Sequence, residues 1–138
     1  MIAPDDGVVR ALLVTDEDVV RLRKMVREDM LALKFSLTDQ TKMVTAASEL
    51  ARNVLRYGGG GHAELEQLFQ NGIGGVRVTF IDHGPGIENI ELAMTDGYTS
   101  GGGMGLGLSG ARRLADDFDI DTAPGKGVRV AITKWKPF

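Results

Sequence analysis

Residues 75–87 read GVRVTFIDHGPGI and contain the clearest strand pattern in the chain. In residues 75–82, large apolar side chains recur at every second position, at Val76, Val78 and Phe80. Such alternation is typical of a β-strand that buries one face and exposes the other. The stretch therefore predicts a strand that runs directly into a glycine-containing loop.

Asp82 stands at the carboxyl end of this strand, and Gly84-Pro85-Gly86 follows it. Ligands of α/β sheets gather at strand ends, where a carboxylate can accept a hydrogen bond from an exocyclic amine such as that of adenine. The two glycines would let the backbone pass close to a flat base. An ordinary Asp-Gly turn is an equally good interpretation of these residues taken alone.

The remaining elements define the fold class by their order. Strands are predicted at 8–14, 62–69, 118–122 and 127–135, helices at about 16–33, 38–57 and 105–117, and one helical turn at 88–94. This order predicts an α/β (α+β) two-layer sandwich, with helices packed on one face of a mixed, mostly antiparallel sheet. We expect residues 1–138 to form a single domain.

Local signals set the boundaries of these elements. Thr15 and Thr38 are the predicted helix N-caps, because a threonine hydroxyl can accept a backbone N–H of the first turn. The glycines at 58–61 end the second helix, and Asn71-Gly72-Ile73-Gly74 has the composition of a hairpin turn. The predicted inward stripe of the second helix is Met43, Val44, Ala47, Leu50, Ala51, Val54 and Leu55.

The composition excludes several classes of function. The chain has 138 residues, a formal net charge of −3 and no cysteine. Nucleic-acid binding is disfavoured because phosphate neutralisation needs a basic face, and cysteine-ligated metal sites and disulfides are excluded. The first ten residues, MIAPDDGVVR, do not show a basic start followed by a long apolar run, and no 18 apolar residues occur together. We therefore expect a cytoplasmic protein that binds neither membrane nor nucleic acid.

The second helix carries a candidate catalytic pair. Glu49 and Asn53 are four residues apart, so their side chains lie on the same helix face, about one turn from each other. They flank the apolar stripe, where an unpaired polar group would cost about 1–3 kcal/mol. Taken alone, the pair is also compatible with a simple surface hydrogen bond.

Glycine is concentrated in one region. Of the 19 glycines, nine fall between Gly84 and Gly110, and residues 101–110 read GGGMGLGLSG at the start of the third predicted helix. Backbone N–H groups at such a helix start point towards a common site, and the helix dipole adds partial positive charge there. Polyphosphate is the ligand that this arrangement favours.

Two known phosphate motifs do not fit the glycine-rich segment. Gly105, Gly107 and Gly110 match the dinucleotide fingerprint, but a loop precedes them, and no acidic residue occurs after Asp121 to bind a ribose. The Walker pattern GxxxxGK[ST] is absent from the sequence. The segment therefore indicates a different type of nucleotide site.

Four blocks in order resemble the N, G1, G2 and terminal boxes of the GHKL ATPase superfamily, and the implied fold is the Bergerat fold of that superfamily. They are ELARN at 49–53, DHGPGI at 82–87, GGGMGLGL at 101–108 and PGKG at 124–127. Within the superfamily, DGYTSGG at 96–102 and ITKW at 132–135 resemble the small serine/threonine kinases of the anti-sigma regulator type. The similarity is greatest to the RsbT-like stressosome switch kinases.

The resemblance implies a role for each matching residue. Glu49 would be the general base, Asn53 would hold Mg²⁺ at the phosphates, and Asp82 would bind the adenine amino group of ATP. The other implied nucleotide-binding residues are Gly84, Gly86 and Ile87 at the adenine, and Gly101, Gly102, Gly103, Gly105, Leu106, Gly107 and Leu108 at the phosphates. Residues 88–102 would form a lid over the nucleotide.

The sequence departs from the family pattern at three places. Val128 follows the closing GKG, where family members often carry a threonine that supports the adenine site. Residues 97–103 contain no arginine, which disfavours direct antagonism of a sigma factor. Tyr57 replaces the histidine of related ATPases, and Arg56 beside it is either a phosphate ligand or a solvated cation at the helix end.

The function implied by the resemblance is Mg-ATP-dependent phosphorylation of a serine or threonine on a STAS-domain partner of the anti-sigma antagonist or stressosome type. The kinase would belong to a bacterial stress-response pathway and, when released, could activate a PP2C-type phosphatase. One alternative is a binding switch that sequesters a partner with little or no phosphotransfer. A gyrase-like ATPase is disfavoured by the chain length.

Overall fold

The computed structural model describes residues 7–94 and 107–136. They contain the strands β1 (Val9–Leu13), β2 (Gly61–Gln70), β3 (Ile73–Asp82), β4 (Asp117–Thr122) and β5 (Val128–Trp135), and the helices α1 (Asp16–Ala32), α2 (Leu37–Arg56), α3 (Ile90–Ala93) and α4 (Leu108–Leu114). The predicted order of strands and helices is confirmed. Among the described helices, none combines the length and apolar character needed to cross a bilayer.

The strands form one sheet in the order β1-β2-β3-β5-β4. Every pairing among the described strands is antiparallel, so the sheet is fully antiparallel there rather than mixed. The helices cover the face on which Val76, Val78 and Phe80 are buried. The predicted two-layer sandwich is therefore confirmed.

The central hairpin is tighter than the sequence predicts. Gln70 pairs directly with Ile73, so the turn consists of Asn71 and Gly72 alone. Both turn residues have positive φ, at 54° and 81°, as a two-residue turn of the I′ class requires. Asparagine and glycine tolerate this conformation, which lets both strands extend to the turn.

The two long helices begin at side-chain caps. Thr15 caps α1 as predicted, and it forms a reciprocal capping box with Asp18. The predicted cap of α2 at Thr38 is wrong, because Ser36 accepts the N–H of Asp39 at 3.1 Å and Leu37 is already helical. Serine three residues before an acidic residue was the correct signal.

The buried stripe of α2 is confirmed at six of the seven predicted positions. Leu55 is only half-buried, although it packs against the core. The stripe lies against fully buried side chains of α1 and the sheet, among them Leu22, Met30 and Ile132. Burial of side chains of this size contributes about 1.5–3 kcal/mol each, so the stripe fixes the position of α2 on the sheet.

Helix α4 is shorter than the predicted helix 105–117. Residues 105 and 106 lie outside the described chain, and Gly107 with φ 68° is the N-cap. The helix ends at Leu114, since the N–H of Asp116 donates to Thr133 O and its Oδ2 accepts from the N–H of Trp135. The last residues of the predicted helix therefore pair with the sheet instead, and β4 begins at Asp117.

Candidate active site

A cavity of about 520 Å³ opens between α2, the end of β3 and the loop that follows it. This volume is typical of small-molecule sites. Its lining includes five of the nucleotide-site residues proposed from the sequence: Asn53, Asp82, Gly86, Ile87 and Leu108. Val128, one of the departures from the family pattern, also lines it. The remaining described lining residues are Leu50, Val54, Tyr57, Phe80, Pro85, Glu88, Asn89, Leu92, Ala93 and Val130. The cavity is therefore mostly apolar, with a few polar groups.

Asp82 is the most deeply buried carboxyl group in the cavity wall, with 6% of its surface exposed. Its Oδ1 atom accepts the N–H of Gly84 at 2.9 Å and the N–H of Val128 at 3.2 Å. Both backbone donors act on the same oxygen, which leaves Oδ2 to accept from a ligand. The bond from the Gly84 N–H is the one expected of an Asp-Gly turn. Asp82 therefore forms the turn and can also take part in the candidate ligand site.

Gly58 is a residue of the site that the sequence did not identify. It was interpreted only as a helix stop, yet a β-carbon there would collide with the Asp82 carboxylate. A β-carbon at Gly84 would in turn lie 2.8 Å from the Gly58 Cα atom. Glycine at both positions is thus what lets the end of α2 approach the loop after β3.

The predicted Glu49–Asn53 pair occupies two different environments. Asn53 lines the cavity, and its side-chain oxygen is shielded from solvent. Glu49 does not line the cavity, but it lies against Gly107 at the start of α4, where a β-carbon would collide with the Glu49 side chain. The carboxylate of α2 is therefore placed at the turn that leads out of the glycine-rich segment.

Five predicted nucleotide-binding residues lie outside the described chain: Gly101, Gly102, Gly103, Gly105 and Leu106. The part of the segment that is described begins with Gly107, followed by Leu108, which is 3% exposed and contributes to the cavity wall. Gly84 does not line the cavity itself but holds Oδ1 of Asp82. Most of the predicted lid, residues 95–102, also lies outside the described chain.

The donor set at the cavity fits a magnesium ion that is carried in by a nucleotide. No group of three or more carboxylate or histidine side chains that could hold a metal occurs among the described residues. Mg²⁺ is usually bound by one or two protein oxygens, with phosphates and water completing its shell. The amide oxygen of Asn53 is an oxygen donor of the type that Mg²⁺ accepts.

The apolar walls of the cavity were assigned only to the core by the sequence. Leu50, Phe80 and Val130 are buried on the inner faces of α2, β3 and β5, and they also face the cavity. Helical and strand periodicity identifies buried positions, but it does not separate those that touch other side chains from those that touch a ligand.

The comparisons with known proteins agree with this geometry. The profile of the "Histidine kinase-, DNA gyrase B-, and HSP90-like ATPase" family matches residues 38–137, which is more than half of the chain. The chain belongs to this ATPase family. The match includes α2, the end of β3 and β5, which are the elements that build the cavity.

Within this ATPase family, the sequence is that of an RsbT-like kinase. It is 38% identical over 131 residues to the serine/threonine-protein kinase RsbT of Bacillus subtilis, covering 95% of this chain and 97% of the relative. It is also 33% identical over 63 residues to an anti-sigma F factor of Thermoanaerobacter, covering 44% of each chain. The second relationship is thus confined to part of each protein.

Two solved structures share the fold of this family member. The RsbU and RsbW domains of Rv1364c from Mycobacterium tuberculosis match with a TM-score of 0.64 and 19% identity, over 94% of this chain and 33% of that longer one. The catalytic domain of histidine kinase ThkA matches with a TM-score of 0.54 and 19% identity, over 93% of this chain and 96% of that domain. At this identity the likeness concerns the fold alone.

Proposed function

We propose that this protein transfers the γ-phosphate of Mg-ATP to a serine or threonine of a STAS-domain partner in a bacterial partner-switching pathway. The resemblance to RsbT extends over nearly the whole of both chains, which supports protein phosphorylation. The partial similarity to anti-sigma F factors supports a regulatory partner of that pathway. Activation of a PP2C-type phosphatase by the released kinase and a cytoplasmic location are further parts of the proposal.

The observation that carries the proposal is the position of Glu49. This carboxylate packs against Gly107, at the point where the glycine-rich segment enters α4. Asn53, one helical turn further along α2, lines the cavity that Asp82 closes. The candidate general base thus lies beside the residue that precedes Leu108 in the cavity wall, and the candidate metal ligand and the candidate adenine-binding carboxylate both line that cavity. This arrangement supports positioning for phosphoryl transfer.

Each side chain has a defined role in the proposed reaction. Asp82 accepts a hydrogen bond from the adenine amino group at Oδ2, while Oδ1 is held by two backbone N–H groups. The apolar side chains of Leu50 and Val130 exclude water around the base. Asn53 would hold Mg²⁺, and the ion would supply neutralisation of the phosphate charge. Glu49 accepts the proton of the attacking hydroxyl.

The phosphate-binding part of the site stays a prediction. The resemblance assigns it to Gly101, Gly102, Gly103, Gly105 and Leu106, together with Gly107 and Leu108. Gly107 has a positive φ that suits a backbone folded around a phosphate chain, and this supports the assignment at its described end.

The proposed function is tested by incubating the purified protein with γ-labelled ATP, Mg²⁺ and candidate STAS-domain proteins encoded nearby. We expect label on a serine or threonine of one partner, and about 10²–10⁴-fold slower labelling when Glu49→Ala replaces the wild type under the same conditions. A complex that forms with ATP but leaves the partner unlabelled would instead identify the binding switch. ATP hydrolysis without a protein acceptor would contradict both.

A further inference from the structure

Two loops border the cavity on the side of the sheet, and they interlock. One follows β3 at residues 83–89, and the other joins β4 to β5 at residues 123–127. The N–H of Gly125 donates to Pro85 O at 2.6 Å, and a β-carbon at Gly86 would collide with Ala123 O. Movement of either loop would therefore displace the other.

The side chain of Thr122 connects these two loops. Its Oγ1 atom accepts the N–H of Ile87 at 3.1 Å, and its hydroxyl donates to Gly127 O at 2.5 Å. The hydroxyl thus acts as donor and acceptor at once. Thr122 ends β4 and pairs with Val128, so both side chains point to the helix-covered face of the sheet.

Both backbone segments held by Thr122 lead directly to the candidate nucleotide site. Ile87 lines the cavity, and so does Val128, whose N–H donates to Oδ1 of Asp82. Thr122 itself does not line the cavity. None of the described residues that line the cavity is a serine or threonine. Thr122 therefore supplies an aliphatic hydroxyl next to a cavity wall that contains no such group.

We propose that Thr122 is a positioning residue for the nucleotide. Its hydroxyl fixes the backbones of Ile87 and Gly127, and through Val128 it orients the carboxylate of Asp82 before ATP enters. A site that is already ordered loses less entropy when the ligand binds, so this contact raises affinity without touching the ligand. The inference rests on the proposed function, because it takes ATP as the ligand of the cavity.

The test is the affinity for ATP of three variants, measured by titration calorimetry in the presence of Mg²⁺. Thr122→Val keeps the shape of the side chain but removes the donor and the acceptor, and we expect the Kd to rise about tenfold because two backbone groups lose their partner. Thr122→Ser retains the hydroxyl and should stay within about threefold of the wild type.

Thr133→Val is the matched control. It makes the same change on β5 near the end remote from Val128, where Oγ1 accepts a hydrogen bond from Arg77 Nε at 3.3 Å. We expect its Kd to stay within about twofold of the wild type, even where its denaturation midpoint falls. A loss of ATP affinity equal to that of Thr122→Val would overturn the inference, because the effect would then follow stability alone.

Other outcomes also overturn it. An unchanged Kd for Thr122→Val, or an equal loss in Thr122→Ser, would refute the role of the hydroxyl while leaving ATP binding by the wild type intact. Absence of ATP binding by the wild type would instead refute the proposed function and this role with it.

Hydrogen exchange of the wild type tests the bond from the Ile87 N–H to Thr122 Oγ1 directly, so it does not depend on whether Thr122→Val folds. The Ile87 amide, which donates to Thr122 Oγ1, should be protected relative to the amide of the exposed residue Glu88 that follows it. Exchange of both amides at the same rate would overturn the inference.

Discussion

The substitution Asp82→Asn tests recognition of adenine without disturbing the folding of the loop that follows Asp82. In the wild type, Oδ1 accepts the N–H groups of Gly84 and Val128, and Oδ2 is left for the ligand. An asparagine can keep its oxygen at the Oδ1 position, which preserves both backbone bonds. Its NH₂ group then replaces Oδ2 and presents a donor to the donor amine of adenine.

The magnitude follows from the contact that is lost. A hydrogen bond to a charged acceptor contributes about 1.5–3 kcal/mol, which corresponds to an increase of about 10- to 150-fold in the Kd for ATP. Folding should change little, because the loop bonds survive. Asp82→Ala removes those bonds as well, so it should weaken ATP binding and also lower the denaturation midpoint.

Titration calorimetry with Mg-ATP measures the affinity, and urea denaturation measures the folding of the same samples. Asp116→Asn is the matched control, because its Oδ2 also accepts a backbone N–H, that of Trp135 at 2.7 Å, at the other end of the sheet. An Asp82→Asn variant that is folded and binds ATP with the wild-type Kd would refute the assignment of the adenine site.

Four further substitutions test other parts of the structure. Glu49→Ala should lower phosphate transfer to the partner by about 10²–10⁴ while the Kd for ATP from calorimetry stays within about threefold, and equal transfer would exclude Glu49 as the base. Gly107→Ala should lower the free energy of unfolding in urea by at least about 1–2 kcal/mol, because Gly107 has φ 68° and a β-carbon there collides with Glu49. Gly110→Ala, in the same helix with open space around it, should raise that free energy by about 0.5–1 kcal/mol, and a loss like that of Gly107→Ala would contradict the reasoning. The backbone N–H groups of Val14 and Thr15 lower the pKa of Asp18 to about 2. Since the folded-state pKa lies below the unfolded value near 3.8, the stabilisation by Asp18 is present above about pH 4 and fades as the pH falls towards 2. The urea midpoints of the wild type and Asp18→Asn should therefore differ at pH 6 and converge near pH 2, and a constant difference would contradict this.

Local chemistry was sufficient to predict most of the fold from the sequence. Alternation in residues 75–82 identified the central strand, and the apolar spacing of α2 identified six positions that are buried. These patterns are local because each reflects the geometry of one element. The errors lie at boundaries, where Ser36 rather than Thr38 caps α2 and the sheet ends α4 before Asp116.

From residue type, spacing and resemblance, the sequence selects Glu49, Asn53 and Asp82 as the candidate residues for the proposed chemistry. Their arrangement is visible in the folded chain alone, where Glu49 lies against Gly107, Gly58 lies against the Asp82 carboxylate, and Asn53 and Asp82 line one cavity. Periodic patterns reflect the geometry of one helix or strand, so they do not reveal which residues of two distant segments approach each other closely. Gly58 is an example, because its sequence context predicts only the end of a helix, whereas its contact with the Asp82 carboxylate is visible only in the folded chain.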